Sequence, residues 1–437
     1  MRNKSIIVLL AYSAMISLFV LGCYRSDVNT EQELFVTSGE SVYRTYEQAL
    51  LCAEEILSVF DSNFPTKSLE ERKIKTGSCI TTELTKSSTD RCDTLAYVFN
   101  FDNNEGFTII AANKSLPPML AITENGHYEP QEKTGVENFD YYMESLLEKL
   151  TALESPEEPG RGVILEYYYT HDTIGSEQDP LMSSLWGQDD IYGGFCPNGL
   201  SGCTPTAIAQ VMNYHQHPAS IVTTVEMGNA FVTYPIRCNV PINWNYIQSH
   251  IITHTATQAC SNYHNTISAL LREIGSRVNT FYFTNGDGSA SFHSLIPSAL
   301  SSFGYSCHSV ESAVGLSVEN SIVDHGPVIL YGSQNNSSQG HTWVADGYKD
   351  WDYITRRYDF DYNLNEYVLS SETIDMVMSL HFNWGWNGLY NGYFAFGVYD
   401  VSNPDSYDDP TFSPTINVDF SLGTMMVRDI YPVNNSN

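Results

Sequence analysis

The feature that most limits how this chain can fold is a break. Residues 154–162 read Glu154-Ser155-Pro156-Glu157-Glu158-Pro159-Gly160-Arg161-Gly162, combining two prolines, three acids and two glycines. Proline removes a backbone donor and glycine adds conformational freedom, so neither a helix nor a central strand is expected to run through this stretch. The 437 residues are thereby divided into a smaller N-terminal part and a larger C-terminal part, both within the ordinary size range of domains.

Before the break, residues 43–60 carry Ala49, Leu50, Ala53, Ile56, Leu57 and Phe60 at helical spacing, and Pro65 follows. Residues 95–101, 106–112 and 119–122 are rich in Val, Ile, Phe and Tyr. Asn103-Asn104 and Pro117-Pro118 separate them, as in an antiparallel sheet. A second helix is expected over residues 138–153. After the break, helices are expected over residues 204–215 and 265–274, and strands over 327–331, 341–348, 367–370, 376–383, 392–396 and 424–430. Helices early and sheet late describe an α+β fold.

At the N-terminus, Arg2 and Lys4 precede 18 uncharged residues, the pattern of an export signal. Val20-Leu21-Gly22-Cys23 resembles the lipobox of bacterial lipoproteins, which implies cleavage before Cys23 and acylation of its thiol. An uncleaved anchor is the alternative, since about 18 apolar residues just span a hydrocarbon core. The expected partition is 1–22 signal, 23–160 N-terminal domain and 161–437 C-terminal domain. The mature chain is expected at the cell envelope or secreted, touching a membrane only through its lipid.

With 21 Lys and Arg against 51 Asp and Glu, the net charge is −30, and such a surface repels a phosphate backbone. Nucleic acid is therefore not an expected partner. Nine cysteines stand at 23, 52, 79, 92, 196, 203, 238, 260 and 307 without a CxxC pair, and His215 and His217 have no ligands at metal-site spacing. No metal or organic cofactor is expected. Export permits disulfides, but with Cys23 acylated and one cysteine reserved as a nucleophile an odd number remains.

The chemistry concentrates around Leu200-Ser201-Gly202-Cys203-Thr204-Pro205-Thr206-Ala207. Cys203 falls between a glycine-containing loop and the first turn of a helix, where unpaired N–H groups and the dipole favour thiolate. A structural cysteine at a cap would satisfy the same pattern. A thiolate nucleophile needs a base near neutrality, and His341 is best placed, at the start of an alternating strand after small polar residues. Asn383, between Phe382 and Trp384 in a segment with two tryptophans and two glycines, is the candidate to fix the imidazole's tautomer, with an indole shielding the bond. Cys203 precedes His341 by 138 residues and His341 precedes Asn383 by 42, the order and first separation of papain-like enzymes. Gln188, 15 residues before Cys203, is placed to complete an oxyanion hole with the Cys203 N–H.

Four segments resemble the streptopain family of papain-like cysteine peptidases, secreted bacterial zymogens. They are Trp186-Gly187-Gln188; Gly202-Cys203 with Thr206-Ala207, Ala209-Gln210, Met212 and Tyr214-His215; Gly340-His341 with Val344 and Asp346-Gly347-Tyr348; and Asn383-Trp384-Gly385-Trp386 with Gly388. Residues 97–100 and 106–112 are similar to the family's inhibitory propeptide. The resemblance implies Cys203 as nucleophile, His341 as base and acid, Gln188 in the oxyanion hole, Asn383 as orienter and Trp384 as its shield. It also implies that the backbone at Ser289 and Gly340 holds an extended peptide. Thr204-Pro205 after the cysteine and residues 281–284 depart from the family's usual pattern. The expected activity is endopeptidase, on protein or peptide substrates, with the chain's own propeptide as inhibitor. A Cys-His-Asn amidase or acyltransferase acting on cell-wall peptides, or a surface lipoprotein that only binds, are the competing readings.

Overall fold

The computed structural model describes residues 42–63, 72–81, 94–130, 132–153, 163–171, 177–229, 232–249, 258–283, 288–333, 340–400 and 423–433. The export signal, the lipobox with Cys23, and the break at 154–162 lie outside them. No helix among the described residues is long and apolar enough to cross a membrane.

Helix α1 (Tyr46–Asn63) begins on a reciprocal cap. The Gln48 N–H donates to Thr45 Oγ1 and the Thr45 N–H to Gln48 Oε1. Its helical stripe, Ala49, Ala53, Ile56, Leu57 and Phe60, is buried as expected. Strands β1 (Ile74–Thr81), β2 (Thr94–Phe101), β3 (Phe107–Ala111) and β4 (Met119–Thr123) form an antiparallel meander, and helix α2 (Glu137–Ala152) follows.

The larger part contributes β5 (Val163–His171), helices α3 (Cys203–His215), α4 (Gln258–Arg277) and α5 (Gly315–His325), and strands β6 (Val328–Ser333), β7 (Gly340–Asp361), β8 (Glu366–Asn383), β9 (Gly392–Asp400) and β10 (Met425–Val427). The two parts share one sheet, in the order β1-β2-β3-β4-β9-β8-β7-β6-β10. The join pairs Thr123 with Gly392, Ile122 with Tyr393 and Ala121 with Phe394. Glycine is required at 392, because a Cβ there would run into the Ile122 carbonyl oxygen.

Alternation along the strands places a core on each face of the sheet. Leu330, Trp343 and Ala345 point to the side of α1 and α2, whereas Ile329 and Val344 point to α3 and α4. The first core runs across both parts of the chain. Phe60 of α1 stacks on Trp351 of β7 at 5.2 Å, and Phe139 and Tyr142 of α2 pack against Trp384 and Phe394. The break in sequence is therefore not a break in packing.

The long hairpin β7–β8 exceeds its sequence signal. Asp350, Asp352, Arg356, Arg357 and Asp359 interrupt the apolar alternation, and the strand continues because its backbone is paired on both sides. Residues Trp351 to Asp359 pair with β5 on one side and β8 on the other. Strand β5 itself had no counterpart in the sequence reading.

Candidate active site

The loop before α3 sets the position of Cys203. Gly202 precedes it at φ 92, a conformation costly for any side chain, and a Cβ there would stand 2.6 Å from Ser289 Oγ. The Ser201 N–H and hydroxyl both donate to the Gln188 carbonyl, at 2.7 and 3.1 Å. These bonds tie Gln188 to the cysteine loop. Gln188 is buried, and among the described residues its Nε2 has no hydrogen-bond partner, so the site holds a free donor. Asp346 anchors the segment leading to it: its Oδ2 accepts from the Met182 N–H at 2.9 Å, its carbonyl from the Leu181 N–H, and its Oδ1 pairs with His381 Nδ1 at 2.6 Å.

Across the cleft, β7 presents Gly340, His341 and Thr342. The groups acting on the Cys203 thiol are Thr342, through its backbone and hydroxyl, and the Thr204 hydroxyl. The two hydroxyls also meet each other at 2.8 Å. His341 is engaged elsewhere. Its Nδ1 lies 3.1 Å from Oδ1 of Asn138, a fully buried residue at the start of α2. The Asn138 amide N–H₂ donates to the Thr342 and Trp384 carbonyls, at 2.9 and 2.8 Å. Its oxygen is therefore an acceptor, and His341 carries its proton on Nδ1. Tyr141 of α2 lies over the same imidazole, ring centroids 5.4 Å apart.

Asn383 does not meet His341 in this form. Its Nδ2 donates to the Ser184 carbonyl at 2.8 Å, and its Oδ1 accepts from the Gly385 N–H and from Gln210 Nε2, at 3.1 and 3.3 Å. The side-chain geometry expected between Asn383 and His341 is thus occupied by Asn138 instead. Trp384 is fully buried, its Nε1 donates to the Tyr390 carbonyl, and its ring faces Trp343, Phe139 and Tyr142. Ser289 sits against Gly202, and Gly340 lies under the Tyr331 ring. Residues 284–287 and 334–339, beside these two positions, lie outside the described residues. Asn138 and Ser184 were not singled out from sequence. An asparagine at a helix start reads as a local capping choice, and nothing in its neighbours points to a histidine 203 positions away.

The electrostatics keep both the Cys203 and the His341 side chains neutral. Burial pushes the Cys203 thiol up despite its place at a helix start, with Thr342 and Thr204 opposing and Glu137 of α2 adding to the rise. Burial lowers His341 to about 4, against the weaker pull of Glu144 and Asp140. The thiol is free of any disulfide, as are Cys52, Cys79, Cys196 and Cys307. A pH dependence follows. Because the folded value of His341 lies below the ordinary 6.5, the unfolded chain takes up a proton that the folded chain refuses between pH 6.5 and 4. The contribution is complete above pH 6.5 and is lost as pH falls toward 4, by about 2 kcal/mol at pH 5 for one such group. Urea denaturation of the precursor should give a lower midpoint at pH 5 than at pH 7, with a smaller difference in His341→Gln. An identical acid shift in the variant would show that His341 is not a source of it.

Comparisons with known proteins match both parts of the chain. The model of the peptidase C10 family matches residues 186–394, and that of the Spi protease inhibitor matches residues 40–150. Streptopain of Streptococcus pyogenes is 23% identical over 341 residues, covering 71% of this chain and 75% of that protein. The thiol protease/hemagglutinin PrtT of Porphyromonas gingivalis is 21% identical over 344 residues, covering 72% of this chain and 35% of PrtT. In fold, the chain is similar to a prointerpain A fragment of Prevotella intermedia, with a TM-score of 0.50 at 19% identity, over 82% of this chain and all of that one. The inhibitor match holds α1, β1–β4 and α2, and the peptidase match holds the loop of Gln188, α3 and the strands of His341 and Asn383. The chain is a cysteine peptidase of papain-like fold, matching the peptidase C10 family over residues 186–394 and carrying its own inhibitor domain in front.

Proposed function

We propose that this chain is the exported precursor of an endopeptidase in which Cys203 is the nucleophile and His341 the base and acid. The observation that carries the reading is the hydrogen bond from His341 Nδ1 to Asn138, made on the strand whose Thr342 hydroxyl meets that of Thr204, the residue after Cys203. The inhibitor domain thus holds the base, and a domain that binds there has a base to disable.

When α2 withdraws, His341 Nδ1 loses its acceptor, and the Asn383 Oδ1 at the end of the neighbouring strand takes that place, with Trp384 covering the bond. The Nε2 of His341 then removes the Cys203 proton. The thiolate attacks a peptide carbonyl held in extended form by the backbone at Ser289 and Gly340. The oxyanion is met by the Cys203 N–H and by Gln188 Nε2, a donor that has no other partner among the described residues. The tetrahedral species collapses as His341 protonates the leaving amine, and the thioester is hydrolysed by a water whose proton returns to His341. The carboxylic product leaves and the thiol is restored.

The proposed domains are a lipoprotein-type signal at 1–22, the inhibitor at 23–160 and the peptidase at 161–437. Cys23 is the lipidation site, so that the precursor is held at the cell envelope before release. Alkylation tests the site directly. Iodoacetamide near pH 7 should label Cys203 stoichiometrically in the processed enzyme and far more slowly in the precursor, where burial and α2 hold the thiol neutral, as read by peptide mass spectrometry. Equal labelling rates in the two forms would overturn the latency, and no labelling of the processed form would overturn the nucleophile.

A further inference from the structure

A second histidine stands in the same cleft and has no place in the reaction. His293 follows the Ser289–Ala290 strand, on the α3 and α4 side of the cleft, and its ring stacks on Tyr331 of β6, with centroids 3.2 Å apart and planes at 24°. The stack bridges the two walls. On the far wall Tyr331 pairs in register with Thr342 and its ring covers Gly340, the residue before His341. Tyr141 of the inhibitor fills the adjoining hollow: a Cβ added at Gly332 would stand 2.6 Å from its ring, and the same ring lies over His341. Removal of α2 therefore empties the space that His293 and Tyr331 border.

Among the described residues neither ring nitrogen of His293 has a hydrogen-bond partner. The groups facing it are Tyr331 on β6 and His341 on β7; while the inhibitor is in place, Tyr141 of α2 lies against both of these, and Asp140 and Glu144 of α2 act on His341. Glu137 of α2 reaches the same cleft from the side of Cys203. The inhibitor thus lays an acidic helix face over this wall. Residues 161–437 carry 8 Lys and Arg against 26 Asp and Glu, a net charge of −18 that disfavours approach of an acidic peptide, so a local imidazolium decides whether a carboxylate is accepted.

We propose that His293, backed by Tyr331, is a specificity-determining residue that admits an acidic side chain of the bound peptide next to the scissile bond, and does so increasingly as the medium becomes acidic. In the precursor, burial and the neighbouring His341 lower His293 to about 4, so it is neutral under α2. Once α2 has left, solvent returns it toward the ordinary histidine range, and protonation falls within pH 5.5–8. The cation then faces the substrate carboxylate at short range, while the equivalent amide gains nothing.

This rests on the peptidase reading above, and the test separates the two. Peptides differing only in Glu against Gln, at each of three positions on either side of the cut, are hydrolysed by the processed enzyme from pH 5.5 to 8. The quantity read is the ratio of kcat/KM for the Glu and Gln members, in which the titrations of Cys203 and His341 cancel. At one position the ratio should rise about three- to tenfold on acidification. In His293→Gln it should be flat and low, and in His293→Lys high and flat. A ratio in the parent enzyme that does not change with pH at any position, or a rise that survives His293→Gln, overturns the assignment of His293 while leaving the peptidase intact. No hydrolysis of any peptide would overturn the peptidase reading and this inference with it.

Discussion

Replacement of Cys203 by alanine is expected to reduce peptide hydrolysis by four orders of magnitude or more and to leave the precursor uncut by its own activity. The loss is large because the thiolate forms the covalent intermediate and no neighbouring group substitutes for it: Thr204 and Thr342 offer only hydroxyls, hydrogen-bonded to each other at 2.8 Å. Folding should survive. The thiol is neutral in the precursor, and its hydroxyl neighbours keep one another satisfied when it is removed. Purified Cys203→Ala should therefore migrate as the full-length chain with an unchanged circular dichroism spectrum. Hydrolysis at a rate comparable with the parent enzyme would sink the assignment; Cys196, a free cysteine of the same part of the chain, is buried beside Tyr282.

The contrast between what could and could not be read in the sequence has physical causes. The start of α3 was legible because it is local: a glycine tolerant of φ 92, a cysteine, then Pro205 where a missing N–H costs nothing, then Ala207, Ile208, Val211 and Met212 on a buried face. The long hairpin was not, because its outer half is held by backbone pairing to β5 rather than by apolar side chains, and pairing leaves no periodicity to see. The shared sheet left a faint trace. Strand β4 reads Met119-Leu120-Ala121-Ile122-Thr123 and every one of its residues is buried, which is the pattern of a strand covered on both faces, yet from sequence alone a short apolar run does not say by what. Asn383 was found by its aromatic and glycine-rich surroundings, but the partner of its amide depends on which form the chain is in. Here Ser184, Gln210 and Gly385 satisfy it, and His341 has turned to Asn138. A residue whose importance lies in contacts 203 and 246 positions distant carries no local signature at all.

That residue gives the second large effect. The separately expressed fragment 24–160 is expected to inhibit the processed enzyme in trans, and Asn138→Ala in the fragment is expected to weaken inhibition about 10²- to 10³-fold. In the complex one buried amide satisfies three groups of the peptidase: the Thr342 and Trp384 carbonyls and the His341 N–H. Truncation leaves all three sealed from water under Phe139 and Tyr142 without a partner, whereas in the free enzyme water reaches them. At roughly 1–3 kcal/mol per orphaned group, partly relieved by relaxation, the net cost is about 3–4 kcal/mol, which corresponds to that range of inhibition constants. Asn138→Asp distinguishes hydrogen bonding from shape. A carboxylate of the same size still accepts from His341 but turns lone pairs toward both carbonyls, so it should inhibit no better than alanine. The fold of each fragment is checked by circular dichroism and by its thermal transition, because Phe107, Tyr128 and Phe139 pack on one another within the fragment and report its integrity. Inhibition constants within threefold of one another for three folded fragments would show that Asn138 is a passenger. Absence of inhibition by the folded parent fragment would show that the N-terminal domain serves some purpose other than latency.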